Sequence, residues 1–172
     1  TNPQKSIWLT EQFYSGTCIN NICGTMIISD KVDFSMLKES IYTFVRNNDA
    51  FRLNFFYDDN KELKQQIIHN LEFDIPIIDV SSDTDLISLE NKIVSTPFDV
   101  NRILFNFTMF RFCDGTGGFV ICMHHLIADA WTAGLVANKI INIYTSLLKN
   151  EKILLLISEV SLSNIGVPTN PI

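Results

Sequence analysis

The sequence is poor in the features that mark several broad functional classes. Its 172 residues hold 13 Lys and Arg against 19 Asp and Glu, for a formal net charge of −6, and no basic cluster breaks that balance. Nucleic acid is therefore not an expected partner, because phosphate binding needs grouped cations. No uncharged apolar run reaches about 18 residues, so no membrane span is expected. Thr1 to Gln12 shows no basic segment leading into a long apolar one, and no secretory signal is visible. The four cysteines, Cys18, Cys23, Cys113 and Cys122, form no C-x-x-C pair and have no zinc-knuckle spacing. Cys113 and Cys122 fall in apolar runs where a free thiol packs as a small hydrophobe, and a reducing cytoplasm is the expected compartment. There is no G-x-S-x-G elbow, and Gly115-Thr116-Gly117-Gly118 lacks the Lys-Ser or Lys-Thr of a phosphate loop.

What is abundant is apolar: 47% of the residues are hydrophobic and 13 are phenylalanine, enough to bury the core of one ordinary domain. Cys23 to Ser29 reads as a first strand. Asp33 or Ser35 then caps a helix whose apolar residues Phe34, Leu37, Ile41, Phe44 and Val45 recur at helical spacing, with Asn47 and Asn48 closing it. Phe51 to Tyr57 and Leu63 to Ile68, joined by a polar break, suit a hairpin. Phe73 to Val80 predicts a short strand, placed at an edge by Pro76. Asp83 or Thr84 predicts the cap of a helix over Leu86 to Val94, ended by Pro97. Leu104 to Phe112 and Phe119 to Met123 flank Asp114-Gly115-Thr116-Gly117-Gly118, the clearest hairpin in the chain. Trp131, Leu135, Ile140, Ile141, Tyr144, Leu147 and Leu148 outline a long amphipathic helix to about Asn150. The expected fold is α/β, with a mixed, largely antiparallel sheet packed with helices and not a doubly wound parallel one. From Ile153 to Ile172 the pattern weakens, and that segment reads as a linker or stub.

Histidine is scarce, with three in all, yet two are adjacent in Met123-His124-His125-Leu126-Ile127-Ala128-Asp129-Ala130-Trp131, directly after an apolar run. Successive side chains of a strand point to opposite faces, so the two histidines are expected to differ in role, one packed and one presented to a cleft. An imidazole in a cleft can take a proton from an attacking amine or hydroxyl. Asp129 suits either a cation partner or the cap of the following helix. From spacing alone three readings stay open. One is a packed histidine, an ordinary exposed one and an N-cap; the second is a catalytic histidine; the third is a metal site, for which His69 is the only other histidine.

The segment resembles the HHxxxDG core of condensation domains of nonribosomal peptide synthetases, shared with acyltransferases of the chloramphenicol acetyltransferase type. Gln4-Lys5-Ser6-Ile7-Trp8-Leu9 is similar to that family's A-Q-x-R-L-W segment, agreeing at the glutamine, the tryptophan and the apolar pattern. Asn47-Asn48-Asp49-Ala50-Phe51-Arg52 resembles its R-H-E-x-L-R segment, and Pro97-Phe98-Asp99-Val100 its P-F-D-L segment. Four segments in order cover about Gln4 to Asn150. The resemblance implies a chloramphenicol acetyltransferase-like α/β sandwich of the two-layer α+β kind. Residues 1–152 would be the N-terminal lobe of a condensation domain and 153–172 a linker toward a C-terminal lobe.

It also implies the chemistry. Donor and acceptor peptidyl carrier domains deliver thioesters on phosphopantetheine arms, an amine attacks the donor thioester, and an amide forms. No cofactor or metal is bound directly, and adenylation and carrier domains neighbour the fold. His125 is the implied catalytic residue, with His124, Asp129, Ala130 and Arg52 as motif or structural positions. Asp129 would pair with an arginine of the R-H-E-x-L-R segment. The sequence departs from the pattern twice: Ala130 stands for the motif glycine, and Asn47 for the first arginine. A lobe alone is expected to be inactive. An epimerisation domain, another acyltransferase of this superfamily and a non-catalytic carrier-docking module are the alternative readings.

Overall fold

The computed structural model describes residues 2–149. The chain runs α1 (Asn2–Phe13), β1 (Asn21–Ile28), α2 (Phe34–Arg46), a 3-10 turn (Asp49–Arg52), β2 (Leu53–Tyr57), β3 (Leu63–Ile67), β4 (Ile77–Asp79), α3 (Asp83–Val94), β5 (Phe105–Arg111), β6 (Gly117–His124) and α4 (Ala130–Leu148). The main sheet has the order β1-β6-β5-β4: β6 lies antiparallel between β1 and β5, and β4 runs parallel to β5 at the edge. β2 and β3 form a separate hairpin. Among the described residues the last strand in sequence is thus interior to the sheet, and the first is an edge.

Local chemistry accounts for most boundaries. Asp33 caps α2 by accepting from the Met36 N–H, and α2 buries Leu37, Ile41, Phe44 and Val45, the stripe its spacing predicts. The β5–β6 turn uses Gly115 at φ +86°. Gly118 answers a different need: a Cβ there would stand 1.9 Å from the Met26 carbonyl oxygen, so only glycine lets β1 approach. α3 is capped by Ser82, one residue before the expected Asp83, because the Ser82 hydroxyl accepts from the Asp85 N–H. The strand expected over Phe73 to Val80 shortens to Ile77–Asp79; its edge position stands.

Alternation along β5 and β6 builds two cores. Phe105, Phe107, Met109, Phe119, Ile121 and Met123 face α2 and α4 with Phe51 and Ile75, while Phe110 and Val120 meet Val80 and Leu86 on the α3 side. α4 departs from expectation: its buried residues include Val136, Ile140, Ile143 and Tyr144, whereas Trp131 is 79% exposed and Leu135 and Leu148 stay on the surface.

The cysteines also depart from expectation. Cys23 and Cys122 are cross-strand partners in the β1–β6 register, with Cα atoms 4.1 Å apart, and are joined as a disulfide. Register places both sulfurs on one face, a relation that a separation of 99 residues hides from the sequence. Cys113, expected in apolar packing, is exposed in the turn after β5. The free-thiol reading of Cys122 is therefore corrected, since its sulfur is bonded to that of Cys23. No helix among the described residues is long and apolar enough to cross a membrane.

α1 is the element that periodicity did not predict. Its inward face is Gln4, Ile7, Trp8 and Glu11, of which Trp8 and Glu11 are buried and Ile7 is half-buried against the cluster that holds Trp8. A helix held by two adjacent apolar residues and polar contacts gives no hydrophobic stripe to read.

Candidate active site

β6 ends on the histidine pair. His124, its last residue, points to the same face as Val120 and Cys122 and is 1% exposed; His125, the next residue, is exposed. A buried imidazole must satisfy both nitrogens. The Leu126 N–H donates to His124 Nδ1 at 3.1 Å, so the neutral ring carries its proton on Nε2, which donates to Glu11 Oε2 at 3.1 Å. Burial pushes the His124 pKa down, against the opposing pull of Glu11. Geometry works in the same direction, since a proton on Nδ1 would face the Leu126 N–H. The Phe98 ring meets the imidazole edge-on, at 6.2 Å between centroids.

Stability inherits this. Unfolded, His124 binds a proton near its ordinary pKa of about 6.5; folded, it resists until a lower pH. Over that interval the unfolded chain holds more protons, so stability is present above about 6.5 and falls as pH drops below it. Urea midpoints should decline from pH 7 to about 5.5, and His124→Asn, less stable overall, should show a flatter slope across that window. An equal slope in both proteins would refute the assignment.

His125 has the opposite tautomer. Its Nδ1 lies 2.8 Å from the Ala128 carbonyl oxygen, which can only accept, so Nδ1 bears the proton and the neutral ring keeps a lone pair on Nε2. Its backbone N–H donates to the Asn20 carbonyl at 2.8 Å.

Asp129 is the N-cap of α4. It accepts from the Thr132 N–H at 2.8 Å and the Thr132 hydroxyl at 2.6 Å, and its own N–H donates back to Thr132 Oγ1 at 3.2 Å. The Thr132 hydroxyl and N–H, with His125 close by, hold its carboxyl below the usual carboxylate pKa. Among the described residues no arginine pairs with Asp129, although the resemblance implies that one would. Arg52 pairs with Asp49, three residues back on the same turn, and reaches the Ile68 carbonyl at 3.4 Å. Arg46 bonds Glu39 on the surface of α2, and Asn47 is the C-cap of α2. Asp129→Ala should therefore lower the thermal midpoint while Asp129→Asn, an equally good cap, retains it. Equal losses in the two variants would favour an ion pair instead.

Ala130 is the first residue of α4 and has helical backbone; Lys61 is the only described non-glycine residue with positive φ. The motif position thus does not require glycine's conformational freedom here.

α1 closes the site from the N-terminal end. The Gln4 side-chain amide donates to the Leu126 carbonyl at 3.0 Å, and Trp8 packs with Leu126 and Phe55 while its Nε1 donates to the Tyr57 hydroxyl at 3.2 Å. Glu11 and Asn20, neither singled out by the sequence, complete the arrangement: Asn20 Nδ2 donates to Glu11 Oε2 at 2.7 Å. A cavity of about 490 Å3 opens beside Phe98, lined also by Asn54 and Arg102, but neither histidine lines it. No group of three or more His, Cys, Asp or Glu side chains able to hold a metal occurs among the described residues.

A mixed sheet packed with helices, with a histidine held in one tautomer just beyond an interior strand, makes this an α/β fold that presents one candidate catalytic group. The comparisons with known proteins narrow this. A family model described as condensation domain matches residues 1–159. Surfactin synthase subunit 1 of Bacillus subtilis (strain 168) is 32% identical over 156 residues, covering 86% of this chain and 4% of that protein. Tyrocidine synthase 3 of Brevibacillus parabrevis is 22% identical over 142 residues, covering 82% and 2%. Among solved structures, the starter condensation domain of the rhizomide synthetase RzmA superposes with a TM-score of 0.81 at 18% identity, over 88% of this chain and 38% of that one. The first condensation domain of the CDA synthetase gives 0.82 at 15%, over 89% and 41%. The chain belongs to the condensation-domain family. It spans a few hundredths of the length of the synthetases it matches and about two fifths of the solved domains.

Proposed function

We propose that this chain is the histidine-bearing N-terminal lobe of a condensation domain that forms an amide bond between carrier-bound thioesters in nonribosomal peptide synthesis. The observation that carries the reading is the His125 ring, exposed beyond the central strand with its Nδ1 proton committed to the Ala128 carbonyl and its Nε2 lone pair free. An acceptor amine attacking a donor thioester gains positive charge on nitrogen as the carbon–nitrogen bond forms. His125 Nε2 accepts the proton lost by that nitrogen, the carbon–sulfur bond breaks, and the released thiolate is protonated in turn. Donor and acceptor peptidyl carrier domains bring both substrates on phosphopantetheine arms, and adenylation and carrier domains flank the fold in the same synthetase.

In this reading residues 1–152 form the lobe and 153–172 lead toward the C-terminal lobe; 150–172 lie outside the described residues. Leu9, Phe13, Tyr14, Trp131 and Leu135 are exposed large hydrophobic side chains, which suits a lobe that the remainder of a condensation domain partly covers. The test is amide formation by the protein carrying this chain, supplied with a donor acyl-carrier and an acceptor aminoacyl-carrier and read by mass spectrometry. No amide above a heat-inactivated control would overturn the proposal. The 172-residue chain alone is expected to form none. The decisive variant, His125→Ala, is argued below.

A further inference from the structure

We propose that Glu11 is a positioning residue for the His125 reaction, acting through His124 and Asn20; the proposal rests on the reading of His125 given above. Glu11 is 4% exposed, and an acid so buried is costly unless its oxygens are engaged. One oxygen, Oε2, takes both partners: Asn20 Nδ2 at 2.7 Å and His124 Nε2 at 3.1 Å. Each partner passes the constraint to the backbone of the motif. From His124 it continues through Nδ1 to the Leu126 N–H, and from Asn20 through its carbonyl to the His125 N–H. Two short hydrogen-bond chains thus begin at one oxygen and end on consecutive amides, either side of the His125 carbonyl.

The neighbours of this arrangement are themselves tied. Asn21 donates its side-chain amide to the Val94 and Thr96 carbonyls at 2.8 Å, anchoring the residue after Asn20 to the end of α3. Gln4, two turns before Glu11 on α1, holds the Leu126 carbonyl. The ring of His125, by contrast, hydrogen-bonds among the described residues only to the carbonyl of its own loop. Where its Nε2 stands is therefore set by the backbone of 125–128, and that backbone is what Glu11 fixes from outside. A displacement of about 1 Å at a reacting group costs on the order of 10²-fold in rate.

The arrangement also says which side chains can replace Glu11. Because both bonds converge on one oxygen, glutamine can supply it with its carbonyl oxygen, whereas leucine leaves the His124 Nε2–H and the Asn20 amide buried without an acceptor. In the protein carrying this chain, Glu11→Leu should lower kcat by roughly 10²-fold with KM for either carrier-bound substrate changed less than about twofold, and Glu11→Gln should keep at least about a third of the wild-type kcat. Nitrogen-15 spectra of the histidine rings in the 172-residue chain give a readout independent of turnover. Wild type and Glu11→Gln should show His124 as Nε2–H and His125 as Nδ1–H, and Glu11→Leu should show His125 averaging between tautomers.

If Glu11→Leu fails to fold, Asn20→Ala, which cuts one arm and leaves the His124 bond, should still lower kcat by about tenfold and blur the His125 signature. Folded Glu11→Leu or Asn20→Ala with wild-type kcat and tautomers would overturn the proposal. So would a Glu11→Gln variant as slow as Glu11→Leu. His125→Ala is the control: if it stays active, the reaction role of His125 and this proposal fall together. If it is inactive while Glu11→Leu is fully active, only the role of Glu11 falls.

Discussion

His125→Ala in the protein that carries this chain is expected to lower kcat for amide formation by about 10²- to 10⁴-fold, the usual worth of a positioned proton acceptor. Binding of the carrier domains should change little. The expectation follows from what alanine removes. His125 is exposed and, among the described residues, its ring makes one hydrogen bond, to the carbonyl of the buried Ala128, so truncation leaves that acceptor as the one group to be satisfied anew. The backbone N–H to Asn20 is kept. Loss of rate without loss of fold is thus the signature, and thermal midpoints within about two degrees of wild type should accompany it. The companion variant His124→Ala behaves differently, because it empties a buried site that Glu11 and Leu126 line and should unfold the protein before it informs on rate. Product formation by His125→Ala within about threefold of wild type would remove His125 from the chemistry and leave a docking function as the better reading.

Phe107→Ala should destabilise the chain by about 3–5 kcal/mol, the range for a buried aromatic truncated to a methyl. Phe107 is 1% exposed on β5, beneath α2 and α4. Its ring centroid lies 5.7 Å from Phe105, 6.0 Å from Phe119 and 6.4 Å from Phe51, so truncation strips contacts from three neighbours at once. Those neighbours sit on β5, β6 and the turn before β2, elements that cannot all move inward to fill the space. A domain of this size holds only about 5–15 kcal/mol in total, so the variant should be marginal at 37 °C. Urea denaturation at 25 °C measures it, with a lowered midpoint at unchanged slope. A loss under about 1 kcal/mol would mean that the core relaxes around the site far more than such packing allows.

Residues that meet near neighbours in sequence were readable in advance. α2 follows from its apolar stripe and the Asp33 cap, and the β5–β6 hairpin from three glycines between two apolar runs. Asp129 as an N-cap needs only the residues up to Thr132. What escaped depends on residues far apart. Glu11 and His124 are separated by 113 positions, and nothing about an acid on a mostly polar helix announces a buried histidine partner. The Cys23–Cys122 pairing needs the strand register, which only the finished sheet supplies. The arginine partner implied for Asp129 failed for a local reason: Asp49 lies three residues before Arg52, and the 3-10 turn brings the two together. Trp131 and Leu135 carry helical spacing but fall beside the face that α4 buries, a distinction that hydrophobicity alone cannot draw.

The position of β6 between β1 and β5 also governs when the site can exist during synthesis. α1 and β1 are made before β6, yet every partner that β1 has in the sheet among the described residues lies on β6, and Gln4 meets Leu126 across 122 residues. Local units such as α2 and the β2–β3 hairpin can form as they emerge, while β1 waits as an unpaired strand. β6 joins β1 to β5 and delivers both histidines in the same event, so His125 is held in place only in a chain where those three strands have already paired.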